Sequence, residues 1–568
     1  MIKRVCLSVM AGACTAVALQ ASAAPSSDWL QFGFDPTHSG INPNEFLLTA
    51  DNVHLLTLKY SRSFSAAVVG TPAPVQGTPV FLSNIATSQG TIDLLFVTLN
   101  DGSILALNAA TGAQVWANLP TSVPACAQAD QNPQCLVTSS PAIDPNRKYV
   151  YNFSRLDGKI HKFAVATGVE TIDAYWPEVS SAKPDLEKGS SAITFATSST
   201  DHATYLYMTH SSYLYSDGGD YQGHITAINL ATGTQIVFNA ACSDRGNIHF
   251  VEAGTTSGEM QNDCFQYQTT DGVDPTLYPA GNAGIWGRAS AVYDPANDSI
   301  YISTGNGYYD PNDQYLHGKY WGDSVLRLPA NLSAPLLAPL DSYTPPNFIG
   351  LMENDNDLGS TSVAIIPTAM TQAYSYKHLG IQSGKDSNVR ILDLDDMSLE
   401  NGPLWCCGQN DSALYSAGVP QGNEVKTQPM VWQNPNGSSV MVIVTNDFGI
   451  SAQQLIMDGS NNPQLSTTTA AHWTHEGGSL SHGETLGGGS PAIANNVLYY
   501  ASASGLLAID PATGNQLVAK TEMGISTSSP GVFHKQSPII VNGRVYVTDE
   551  NANLWVYEGD EIFLNGFN

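Results

Sequence analysis

Short stretches in which Val, Ile, Leu and Tyr alternate with polar residues recur along the whole chain, each bounded by Gly, Asp, Asn or Pro. A period of two marks a strand with one face packed on a neighbouring sheet, and the bounding residues mark turns. The stretches share a phrase. A strand opened by Gly runs into Ala-x-[Asn/Asp]-x-Ala-Thr-Gly at 102–112, 223–233 and 505–514, with a weaker copy at 158–168. Degenerate copies follow at 322–328, 387–393, 449–455 and 552–557. That makes about eight units at a mean spacing of roughly 60–65 residues, longer than a WD40 blade. Units this small cannot bury their faces alone, and closing them into a ring removes the open edges. The expected fold is all-β, an eight-bladed β-propeller. The wide gap between Gly223 and Gly322 leaves seven and nine blades open. The segment Asp28-Trp-Leu-Gln-Phe-Gly-Phe34 is expected to pair with C-terminal strands and close the ring.

The repeat runs nearly end to end through 568 residues, so 25–568 reads as one domain. Residues 1–24 read as a secretory signal peptide. Lys3 and Arg4 open it, a short apolar run follows, and Ala21-Ser22-Ala23 is the cleavage site. No other stretch approaches transmembrane length. The expected location is periplasmic or secreted. The formal net charge is −28, and removing the signal, which carries Lys3 and Arg4 and no acid, makes it more negative. That balance argues against a nucleic-acid partner. The cysteines beyond the signal fall into near pairs. Cys126–Cys135 and Cys242–Cys264 are expected disulfides in an oxidising compartment, and the adjacent Cys406 and Cys407 would need a strained ring. No Cys-x-x-Cys-His occurs, so covalent haem is not expected.

Candidate chemistry gathers in three segments. They are Gly284-Ile-Trp-Gly-Arg288 running on to Tyr-Ile-Ser-Thr-Gly-Asn306, then Asn354-Asp-Asn-Asp-Leu-Gly359, then Gln382-Ser-Gly-Lys-Asp386. In this order they resemble the pyrroloquinoline quinone (PQQ)-dependent alcohol dehydrogenases and polyvinyl-alcohol dehydrogenases, whose repeat corner is also similar. The resemblance implies a quinoprotein dehydrogenase propeller. Asn306 matches a calcium ligand, and Asp357 matches the carboxylate that takes the alcohol proton and lies near the metal. Lys385, with Asp386 beside it, matches a cation on the quinone oxygens. Trp286 is the best match for the aromatic floor under the cofactor. The chemistry suits these types: Ca²⁺ wants hard oxygen donors, a carboxylate serves as general base, and the cofactor carries the redox step.

The chain departs from the family in places. Counted back from Tyr293-Asp294, the floor residue falls nearer Arg288 than Trp286. The family's glutamate calcium ligand has no clear counterpart, and Asp217 or Asp220 could replace it. Structural readings compete with the functional ones: a turn Asp, a β-turn Asn, a core Trp, a solvated Lys–Asp pair. His472-Trp-Thr-His-Glu476 is rich in metal-ligand types but reads as a polar loop. Segments 121–138 and 239–283 are expected to cover one mouth of the ring. Two functions are carried forward. One is an exported oxidoreductase that oxidises a small or polymeric alcohol with PQQ and Ca²⁺ and passes electrons to an external acceptor such as a cytochrome c. The other is a non-catalytic propeller that binds proteins, like the outer-membrane assembly lipoproteins of this repeat class.

Overall fold

The computed structural model describes residues 27–64, 77–120, 137–184, 187–212, 221–244, 283–312, 319–333, 338–404, 411–437, 439–468, 471–476, 488–502, 505–521, 536–549 and 552–560. Among these, eight mainly antiparallel sheets follow one another as blades. They span 80–118, 142–179, 194–239, 292–343, 364–418, 430–476 and 492–520, and the eighth joins 539–558 to Thr57–Ser63. Each recurring phrase of the sequence contributes the third strand of a blade, from Ile104–Asn108 in the first to Asn553–Glu558 in the eighth. Among the described residues, the gap between Gly223 and Gly322 holds the end of the third blade and the start of the fourth.

Alternation here serves two faces rather than one. On Ile104–Asn108, Leu105 and Leu107 pack towards the seventh and eighth blades, while Ile104 and Ala106 pack towards the second. A blade inside a ring has a neighbour on each side, so both faces of the strand are buried. Apolar clusters join each consecutive pair of blades, and one of them spans the seventh, eighth and first.

Ring closure differs from expectation. The strand that pairs with the C-terminal Asn553–Glu558 is Thr57–Ser63, antiparallel. Trp29 instead bridges Phe81 in the first blade. The reason lies in what the early segment meets. Leu30 O accepts from Ile143 N at 2.8 Å, Gln31 Oε1 from Phe195 N at 2.8 Å, and Pro36 O from Tyr293 N at 2.9 Å. Gly40 O accepts from Ile493 N at 2.8 Å, and Asn42 Nδ2 donates to Ile540 O at 2.7 Å. The segment thus bonds to the first strands of six blades. Most of these contacts lie near the turn into the second strand. Asn306 and Lys385 follow the opposite ends of second strands, Ser299–Ser303 and Leu379–Ser383. The early segment ties the blades together towards one end of the ring, and the candidate residues lie at the other.

His472–Glu476 is a strand paired with Gly449–Met457, and not a loop. His475 Nε2 is bonded to Gly514 O and His472 Nδ1 to Thr468 O, so backbone carbonyls engage both rings. The signal segment, Cys126, Cys135, Cys264, Cys406, Cys407, Asp217, Asp220 and most of both expected mouth segments lie outside the described residues.

Candidate functional site

Several connections meet where the fourth and fifth blades adjoin. One runs through 283–288 into the fourth blade. Another, 304–306, follows that blade's second strand. A third, 355–360, leads into the fifth blade. Backbone bonds pin them: Gly305 N donates to Gly284 O at 2.8 Å, Asp323 N to Gly305 O at 3.0 Å, and Lys385 N to Asp357 O at 3.1 Å. Leu358 N donates to Asp323 Oδ1 at 3.1 Å. A Cβ on Gly359 would run into Gly305 N, so the approach of these two loops requires glycine.

The side chains form one chain of contacts. Asp357 is buried. Its Oδ2 accepts the Trp286 indole N–H at 2.7 Å, and its Oδ1 faces Lys385 Nζ at 2.8 Å. Lys385 also reaches Asp355 Oδ1 at 2.6 Å, and its ammonium lies 5.1 Å from the centre of the Trp286 ring. Asn306 Nδ2 donates to the same Asp355 oxygen at 2.8 Å. Asn306, Asp357 and Lys385, far apart in sequence, are therefore brought into one hydrogen-bonded cluster together with Trp286.

Burial pushes the Asp357 carboxyl above the usual range, while Lys385 and the Trp286 N–H pull against it. Burial lowers the Lys385 pKa, but Asp357 and Asp355 outweigh it, raise the pKa and hold the ammonium charged. These buried charges are tolerated because each has a partner within hydrogen-bond distance.

Two other candidates are engaged elsewhere. Asp386 forms an ion pair with the buried Arg390 and accepts from Asn388 Nδ2 at 2.9 Å. Arg288 is buried and donates through Nη1 to Ser190 O at 2.9 Å, ahead of the third blade's Thr194–Thr197. Trp286 does more than offer a flat surface, since its N–H is committed to Asp357. Sequence reasoning misses Asp355, although its spacing of two from Asp357 is an available signal.

No family model and no curated protein matches the sequence. Solved structures do. The quinohemoprotein alcohol dehydrogenase of Comamonas testosteroni superposes with a TM-score of 0.58 at 16% identity, over 97% of this chain and 82% of that one. A quinohemoprotein alcohol dehydrogenase of Pseudomonas putida HK5 gives 0.56 at 14% identity, over 94% and 80%. A europium-containing methanol dehydrogenase gives 0.54 at 13% identity, over 94% and 98%. The chain has the quinoprotein dehydrogenase fold.

The donors in the cluster fit a hard cation. Asn306 and Asp357 supply an amide and a carboxylate, and each carboxylate oxygen can accept more than the one contact described above. Among the described residues no three His, Cys, Asp or Glu side chains are grouped to hold a metal. Nor is any helix among them long and apolar enough to cross a membrane.

Proposed function

We propose that the protein is an exported oxidoreductase that oxidises an alcohol with PQQ and Ca²⁺. The convergence of Asn306, Asp357, Lys385 and Trp286 carries this reading. Four independent turns or core residues have no reason to meet in one cluster. When bound, PQQ accepts the electrons of the alcohol while Ca²⁺ polarises its carbonyl. Asp357 takes the hydroxyl proton as general base, and its raised proton affinity suits that task. Trp286 holds Oδ2 and so fixes the carboxylate's orientation. Asn306 and Asp357 would hold the metal, with Asp217 a candidate third ligand. Lys385 would hold the quinone through its ammonium.

The substrate is a small or polymeric alcohol, and the electrons leave to an external acceptor such as a cytochrome c. The signal peptide 1–24 directs the chain to the periplasm or beyond, and 25–568 act as one propeller domain. In the exported protein Cys126–Cys135 and Cys242–Cys264 are bonded, which mass spectrometry of non-reduced peptides checks. Titration of the apo-protein with PQQ and Ca²⁺, followed by quinone absorbance, tests the functional reading. Reduction of an artificial acceptor with a panel of alcohols completes it. Protein that neither binds PQQ nor reduces the acceptor would be read instead as a protein-binding propeller.

A further inference from the structure

Asp355 is the outermost carboxylate of the cluster. Its side chain is 59% exposed, against 13% for Lys385 and 2% for Asp357. One of its oxygens serves two blades at once, accepting from Asn306 Nδ2 on the fourth and Lys385 Nζ on the fifth. Its backbone has φ 55°, a left-handed conformation that most side chains avoid and Asp tolerates. The turn that imposes it is fixed on both sides, because Asn354 N and Asn356 N both donate to Leu351 O.

A primary amide carries its donor and its acceptor on opposite sides of Cγ. A bond that commits Asn306 Nδ2 to Asp355 therefore turns Oδ1 the other way. Only the oxygen can ligate a cation, and an amide flipped to present its NH₂ repels one. The same Asp355 oxygen shares the Lys385 ammonium with Asp357, at 2.6 Å against 2.8 Å. We propose that Asp355 is a positioning residue that orients the Asn306 amide so that its oxygen serves a hard cation. This rests on the quinone reading of the site.

Binding of Tb³⁺ to the purified apo-protein tests the idea. Trp-sensitised emission is the signal, with Trp286 in the cluster as antenna, and Ca²⁺ is the competitor. Asp355→Asn keeps an acceptor oxygen in place and loses only the charge. Asp355→Gly removes the acceptor and suits the left-handed backbone, so the fold is retained, which a thermal melt checks. Asp355→Gly should weaken Ca²⁺ competition roughly 10–100-fold, the usual loss when a group that orients a metal ligand is removed. Asp355→Asn should stay near wild type. Equal weakening in both variants would overturn the proposal in favour of charge or direct ligation. Wild-type affinity in both would overturn it and leave the quinone reading standing. Wild-type protein that takes up no Tb³⁺ would overturn both.

Discussion

At the residue scale, Asp357 is held by its surroundings more than by its own conformation. Gly305 is part of the reason. A Cβ there would stand 2.5 Å from Asp357 Oδ2 and 3.1 Å from Trp286 Nε1. Gly305→Ala should therefore displace the carboxylate from the indole and cost about 1–3 kcal/mol, as overpacking does elsewhere. Denaturant unfolding measures the cost, and Trp fluorescence should shift with it. Asp357→Asn is the complementary change. It deletes the proposed base but almost no volume, so acceptor reduction should vanish while the circular-dichroism melt stays cooperative. Turnover retained in that variant would remove Asp357 from the mechanism.

At the element scale, the Ala-Thr-Gly corner turns out to be a seat. Its Gly has positive φ in each full copy, and a Cβ there would run into an aromatic ring of the preceding blade. Gly112 meets Tyr60 at 2.6 Å, Gly168 meets Trp116 at 2.6 Å and Gly514 meets Trp473 at 2.5 Å, while Gly233 abuts Tyr175. Three of the rings also bond across the junction, and Tyr60 Oη donates to Ala109 O at 2.8 Å. Trp116 Nε1 donates to Val165 O at 2.8 Å and Trp473 Nε1 to Pro511 O at 3.0 Å. Trp116→Ala opens a cavity between the first two blades, and a loss of about 3–5 kcal/mol is expected by chemical denaturation. The corner is legible as a turn in the sequence. Its second duty is not, because the aromatic that needs the space belongs to a different unit.

At the scale of the whole molecule, contacts between blades decide stability. His378 on the fifth blade is flanked by Asp294 of the fourth, through Nε2, and by Asp395, through Nδ1 at 2.8 Å. Burial lowers its pKa, but the two carboxylates outweigh burial and raise it above the ordinary 6.5. A histidine raised in the folded state stabilises fully below its unfolded pKa, and that contribution is lost as pH rises through the folded value. The stability of wild type relative to His378→Gln should then shrink from about pH 6.5 upward. A difference that is flat with pH, in denaturant melts, would show that the histidine is not charged there. Deleting 25–45 removes the bonds to six blades and should lower the melting temperature sharply.

Local chemistry makes much of this visible in the sequence. Alternation of apolar and polar residues and the recurring corner determine the strands, the repeat and the ring, because both signals depend only on near neighbours in the chain, whereas the count of eight across the gap between Gly223 and Gly322 is decided by the sheets themselves. The motif residues Asn306, Asp357 and Lys385 are likewise legible as a set. Tertiary structure alone decides how they are used. Asn306 and Lys385 meet through Asp355, Trp286 spends its N–H on Asp357, and Asp386 turns to Arg390, since each of these choices depends on which loop packs against which. Ring closure follows the same logic. Thr57–Ser63 and the early segment both carry strand-like residues, and only the position of the eighth blade's open edge determines which of them completes it.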